Sequence, residues 1–306
     1  MNHISRREFV TITAIGAIAS RTALSSAAPT PVAITAQEIV ERIKQKIASE
    51  WKVEWKTETV DAFKAGDPAT TVKGIVTTSM ATMDVLQQAV KGGANLVITA
   101  EPTFYSKTDS ASPPAGRGGG AGAVDRILAA KNEFIKKEGL VIWRFSDHWR
   151  QRKPDPLASG LMDALGWSAL RVANDPARAT IPTITLDALA SELKRRLNAR
   201  GGIRVIGDPQ LKVQKIGLLP GTTPIQSALT LLPGVDVVIA GEIREWETAE
   251  YARDKITAGE NKSLILLGRV VSEDPGMNVC AQWIKTIVPE VPTTWIRVGD
   301  PYWRPL

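Results

Sequence analysis

The 306-residue chain reads as an α/β protein built from two related β-α-β halves with mixed sheets. Three observations predict this. Short apolar strand patterns alternate with amphipathic helices, the rhythm of a largely parallel sheet. A gap-free shift of 141 positions pairs Val72 with Val213, Ile75 with Ile216, Thr82 with Thr223, Gly93 with Gly234, Val97 with Val238, Ile98 with Ile239 and Glu101 with Glu242. After each matched unit come a second helix and a second strand, so each half offers two strand ends, where open α/β sheets bind ligands.

The elements follow in order. Ser5-Arg6-Arg7-Glu8-Phe9-Val10, a mildly apolar run to Ala19, Arg21 and small residues before Pro29 form a twin-arginine export signal over 1–28. Its apolar run is about half of what a bilayer span needs. Cleavage is expected after Ala27 or Ala28, with the folded passenger delivered to the periplasm or beyond. The first half is expected over 29–170. Thr35 caps a helix over Ala36–Ala48 that aligns Ile39, Ile43 and Ile47 on one face. Val72–Thr78 is a strand, Thr82–Lys91 a helix and Leu96–Ile98 a buried strand. Residues 107–122 turn to Ser, Pro and Gly; no strand leads into these glycines and no Lys-Ser/Thr follows, so a surface loop is expected over a phosphate cradle. Helix Ala123–Glu138, strand Leu140–Phe145 and helix Ser159–Leu165 complete this half. A linking segment over 171–210 carries helix Ala188–Leu197. The second half, 211–306, brings helix Glu247–Ala258, strand Ser263–Leu267 and helix Asn278–Val288, and closes the site.

Composition excludes several classes. The formal charge is +6; the signal holds three arginines against one glutamate, which leaves +4 on the mature chain without a basic block, so nucleic-acid binding is unsupported. The lone Cys280 rules out an intramolecular disulfide and a cysteine metal cluster. No later apolar run approaches membrane-spanning length.

The four strand ends deliver Glu101; Asp147 with His148; Glu242 with Glu245; and Arg269 with Glu273. Converging carboxylates need protons, arginines or a metal, because unpaired charge in a low-dielectric cleft costs several kcal/mol. A hard divalent ion and a set of arginine salt bridges are both open on spacing alone.

The segments ITAEPTFYS (98–106), RFSDHW (144–149) with KPD (153–155), and GEIREWETAEYARD with LILLGRVVSEDPGM (241–254 and 264–277) resemble the NIF3-like (NIF-three-like) dinuclear metal-centre family over roughly 36–304. The resemblance implies a two-part α/β fold, a toroidal homohexamer and two divalent metals held between the halves of each subunit. Ala100-Glu101-Pro102 stands where the family carries His-His-Pro or His-Glu-Pro, and Gly268 to Glu273 where it carries Gly-His-x-x-x-Glu. Two family histidines are therefore Ala100 and Arg269 here. In the third ligand segment only Asp147, His148 and Asp155 could coordinate, and Arg150 or Arg152 could fill a further ligand's place. Some relatives are described as type 2 GTP cyclohydrolases, a name that does not carry over to a chain missing two ligands.

Two readings follow. In the first, a degenerate site holds fewer than two divalent metals per subunit through Glu101, Asp147, His148 and Glu273. It would activate a bound water for hydrolysis, with Glu242 or Glu245 accepting the proton. In the second, Arg269 replaces the metal, and the protein is a non-catalytic oligomeric scaffold or binds a small molecule. A guanidinium cannot ligate a cation, and it pairs well with carboxylates.

Overall fold

A computed structural model describes residues 33–106, 109, 126–303 and 305. The export signal, the glycine-rich segment apart from Asp109, and the start of the helix expected from Ala123 lie outside the described residues.

Helix α1 (Ala36–Lys46) starts where the sequence places it: Thr35 accepts from the Glu38 amide while the Glu38 carboxylate accepts from the Thr35 amide, a reciprocal cap. Strands β1 (Phe63–Ala65) and β2 (Ile75–Thr78), helix α2 (Met83–Lys91), strand β3 (Leu96–Thr99), helix α3 (Arg126–Lys137), strand β4 (Val141–Arg144) and helix α4 (Pro156–Ala164) follow. Then come β5 (Arg171–Val172), β6 (Asp175–Thr185), α5 (Leu186–Arg196), β7 (Arg204–Ile206), β8 (Lys212–Thr222), α6 (Ile225–Leu231), β9 (Val237–Glu242) and α7 (Glu250–Thr257). Strand β10 (Ser263–Leu266), helix α8 (Arg269–Ile287) and strand β11 (Thr293–Trp295) end the chain.

Two mixed sheets result, ordered β1-β4-β3-β2-β11 and β5-β6-β8-β9-β10-β7. The repeat is visible in their registers. Ile75 faces Leu96 across the parallel β2/β3 pair, and Ile216 faces Val237 across the parallel β8/β9 pair; the two pairings differ by the same 141 positions. β4 and β10 extend the sheets in parallel, and each is edged by an antiparallel strand, β1 or β7. The halves diverge on the other side, where β11 joins β2 in parallel but β6 joins β8 antiparallel.

Two boundaries differ from expectation. The segment 171–210 is more than a link, because β5, β6 and β7 all belong to the second sheet. The end of the chain returns to the first sheet as β11. These four strands are short or polar-faced, so hydrophobic periodicity marks them weakly.

Helices α4 and α8 pack against each other between the sheets; α8 also touches β2, β8, β9 and β11. Its Val271 lies in the core of the second half, while Met277, Cys280, Trp283 and Ile284 lie in the core of the first. Residues 272–274 therefore sit at the junction of the halves. The outer faces are covered by α2 and α3 on one sheet and by α6 and α7 on the other.

The α4/α8 crossing depends on glycine. A Cβ on Gly160 would lie 2.5 Å from the Pro275 carbonyl carbon and 2.6 Å from the Gly276 nitrogen, both backbone atoms that cannot rotate away. Gly160→Ala would gain about 1 kcal/mol of helix propensity and lose about 1–3 kcal/mol to overpacking. The expected result is a net loss of up to about 2 kcal/mol in urea unfolding; a variant more stable than the parent would show that the helices can separate freely.

Candidate functional site

The expected strand ends meet around α8. Gly268 turns the chain at φ +85°, a conformation that suits glycine, and the helix opens at Arg269 immediately beyond. The i,i+4 spacing puts Arg269 and Glu273 on one face. Glu101 leaves β3 with its amide bound to the Ser79 carbonyl at 2.8 Å. Arg150 comes from a single turn, Trp149–Gln151, after β4.

These four side chains form a closed quartet. Arg269 Nη2 is 2.5 Å from Glu101 Oε2, and its Nε is 3.5 Å from Glu273 Oε1. Arg150 Nη2 donates to Glu273 Oε1 at 2.7 Å and stands 3.6 Å from Glu101 Oε1. The Glu101 and Glu273 side chains are 5% and 1% exposed, whereas those of Arg150 and Arg269 are 37% and 33% exposed. Carboxylates thus line the inner side and guanidiniums the outer.

Burial pushes the Glu273 carboxyl up from its ordinary range and Glu101 adds to this, while Arg150 and Arg269 pull the other way. Burial works against the Arg269 guanidinium, but Glu101 and Glu273 hold its pKa above the usual arginine value. Room for Glu273 is made by Gly221, at φ +77°, where a Cβ would lie 2.5 Å from Glu273 Oε1. Next along the helix, Asp274 accepts from Ser79 Oγ at 2.7 Å, and burial raises its pKa against the Ser79 and Arg297 contacts.

The other expected residues lie elsewhere in chemical terms. His148 is fully buried and uses both ring nitrogens: Nδ1 is 2.7 Å from Asp61 Oδ2, and Nε2 accepts from the Lys56 amide at 3.1 Å. The accepting Nε2 assigns the proton to Nδ1, so no lone pair is left for a metal. Asp147 accepts from Thr59 Oγ1 and the Val60 amide, and Asp155 caps α4 through the Leu157 and Ala158 amides. Asp147 and His148, expected as ligands, here anchor the segment 56–61 to the end of β4. Ala100 is buried, with its carbonyl accepting from Arg144 Nε at 3.3 Å.

Glu242 is exposed at the end of β9, where it accepts from Thr222 Oγ1 at 3.3 Å. Glu245 is also exposed and pairs with Arg204, so the two expected proton acceptors stand outside the quartet. Asp61 was the residue sequence reasoning missed, since no motif surrounds it. Cys280 is buried, and burial pushes its thiol far above the reactive range.

No protein-family model and no curated protein matches the sequence. Solved structures do match the fold. The hypothetical protein SA1388 of Staphylococcus aureus superposes with a TM-score of 0.64 at 13% identity, covering 89% of this chain and 99% of that one. A Bacillus cereus protein related to NIF3 gives 0.64 at 14% identity over the same shares. The protein ybgI, described as of unknown function, gives 0.61 at 20% identity over 88% of this chain and 100% of its own. The chain has the NIF3-like α/β fold.

The residues present do not fit the metal pair that the resemblance implies. Glu101 and Glu273 are engaged by guanidiniums, His148 uses both ring nitrogens, and Ala100 and Arg269 stand where the resemblance expects histidines. Among the described residues no group of three or more His, Cys, Asp or Glu could hold a metal ion.

Proposed function

We propose that this NIF3-like protein is exported and has exchanged a metal for fixed positive charge, working as a small-molecule-binding member of a homo-oligomer. Arg269 is the metal-replacing charge of the site, and Arg150 is its second half. The observation that carries this reading is the quartet itself: two guanidiniums neutralise two buried carboxylates in a place that must be neutralised somehow. A divalent ion would have to displace both arginines and then sit beside them. The hydrolase reading asks Glu242 or Glu245 to serve a metal-bound water; Glu242 stands at the edge of the quartet, where its charge acts on Arg269, and Glu245 is paired with Arg204.

Metal analysis of protein purified without chelator tests the exchange. Well under one equivalent per subunit is expected, rising when Arg269→His and Ala100→His are combined. Two tightly held equivalents in the unmodified protein would restore the dinuclear hydrolase reading. The hexamer implied by the resemblance is checked on the same sample by light scattering.

Export rests on Ser5-Arg6-Arg7-Glu8-Phe9 and Arg21. Changing Arg6 and Arg7 together to lysine should leave the precursor in the cytoplasm, and undiminished export would count against the twin-arginine route.

A further inference from the structure

We infer that the cavity at the C-terminal ends of β9 and β10 binds a neutral saccharide, with a pyranose ring stacked on Tyr302 and its hydroxyls held by the polar side chains of the wall. This rests on the small-molecule reading above and gives it a ligand class. The cavity has a volume of about 670 Å³, within the roughly 300–1,000 Å³ of small-molecule sites, and strand C-termini are where α/β sheets take ligands.

The charges of the wall argue against an ionic ligand. They are Arg204, Glu242, Arg269 and Asp300, two of each sign, and the protein compensates each of them. Arg204 pairs with Glu245. Arg269 pairs with Glu101 and Glu273 and also feels the charge of Glu242. Asp300 accepts from the Gly201 amide at 2.8 Å and the Tyr302 amide at 3.0 Å. An incoming ion would shed its hydration and meet no spare counter-charge. A hydroxyl needs none, only partners for its hydrogen bonds. A carboxylate has about four lone-pair sites and a guanidinium five N–H donors; the Thr222 hydroxyl takes one site on Glu242, and Glu245 takes one nitrogen of Arg204. The wall therefore keeps acceptors and donors side by side, and a hydroxyl uses both.

The apolar half of the match is aromatic. Among the described residues four aromatic side chains are exposed: Tyr105, Trp246, Tyr302 and Trp303. Three of the four come from the two segments that border this cavity. Tyr302 lines it, with Trp303 next in the chain, and Trp246 follows Glu245, the partner of Arg204. Tyr302 is also held in place. Asp300 ties its amide to that of Gly201, and Gly201 admits the tail, since a Cβ there would lie 2.4 Å from the Tyr302 Cβ. The backbone is thus anchored while the residue stays 73% exposed, which leaves a rigid aromatic surface uncovered at small cost in rotamer freedom. A pyranose is complementary to such a site: it has a face of C–H groups for the ring and a rim of hydroxyls for the polar side chains.

Calorimetric titration of the purified protein with maltose, cellobiose and lactose tests this, with glucose, glucuronate, glucosamine and adenine as competitors. At least one disaccharide should bind, and glucose should displace it better than glucuronate or glucosamine, which add one charge of either sign. Tyr302→Ala should weaken that disaccharide about threefold to tenfold, the size of one aromatic contact, and Tyr302→Phe, which keeps the ring, should bind like the parent. No binding by any of the three disaccharides, tighter binding of a charged sugar, or affinity indifferent to Tyr302→Ala would each overturn the assignment. A change of oligomeric state in Tyr302→Ala with affinity unaltered would place the aromatics in a subunit interface and overturn it too. Binding of adenine in place of the saccharides would overturn the sugar while leaving the small-molecule reading standing, and metal content, measured separately, decides the exchange.

Discussion

Replacing Arg150 and Arg269 together by alanine should lower the unfolding free energy by about 3–5 kcal/mol, the cost of stranding buried carboxylates without partners. Both guanidiniums are about one-third exposed, so screening places the value toward the lower end. Arg269→Ala alone should cost less, about 2 kcal/mol, because Arg150 stays 2.7 Å from Glu273 and can swing toward Glu101. The two single losses should therefore fail to add to the double loss, as expected for residues sharing partners.

The same variant should acquire a pH signature. Burial and Glu101 already raise the Glu273 carboxyl, and the two arginines are the groups that restrain it. Without them its folded pKa rises further above the unfolded value, so the folded state holds the proton more tightly. Stability then falls as pH rises through the interval between those two pKa values. The double variant should be visibly more stable near pH 5 than near pH 7, and adding Glu101→Gln and Glu273→Gln should flatten the difference. Urea unfolding at both pH values measures this; a loss under about 1 kcal/mol at each would mean that the quartet is a surface ornament.

Much of the fold was legible because its strong signals are local. Thr35, Thr82 and Thr185 each cap a helix, and strands β2, β3, β4 and β10 are short, largely apolar segments buried on both faces, as parallel strands between helices are. The 141-residue repeat predicted a register. What was not legible is long-range and polar. Strand β11 joins β2 through three residues that include only one large apolar side chain, and no local pattern tells that it crosses back to the first half.

The candidate site divides along the same line. Glu101, Arg269 and Glu273 come together because strand ends and helix spacing place them there, which sequence can supply. His148 was read as a ligand because it sits beside Asp147 at a strand end, yet its fate is decided by Asp61, 87 positions away. A histidine's availability depends on what occupies its two nitrogens, and that is a tertiary fact.

Asp61→Ala should accordingly be among the most damaging single changes, on the order of 3–5 kcal/mol. Its carboxylate accepts four hydrogen bonds: Oδ1 from the Ser146 amide at 2.6 Å and the Asp147 amide at 3.0 Å, Oδ2 from the His148 amide at 2.9 Å and His148 Nδ1 at 2.7 Å. Each buried donor left without an acceptor costs about 1–3 kcal/mol, and the simple sum is reduced because water can enter beside the exposed Asp147. Asp61→Asn keeps an acceptor oxygen but turns an NH2 toward donors, so it should fall between parent and alanine. The imidazole stacks on Trp55 with ring centroids 3.8 Å apart. Release of the ring should therefore change tryptophan emission even in the folded alanine variant. Stability within about 1 kcal/mol of the parent, together with unchanged emission, would show that Asp61 does not hold the histidine, and would return His148 to the pool of possible ligands.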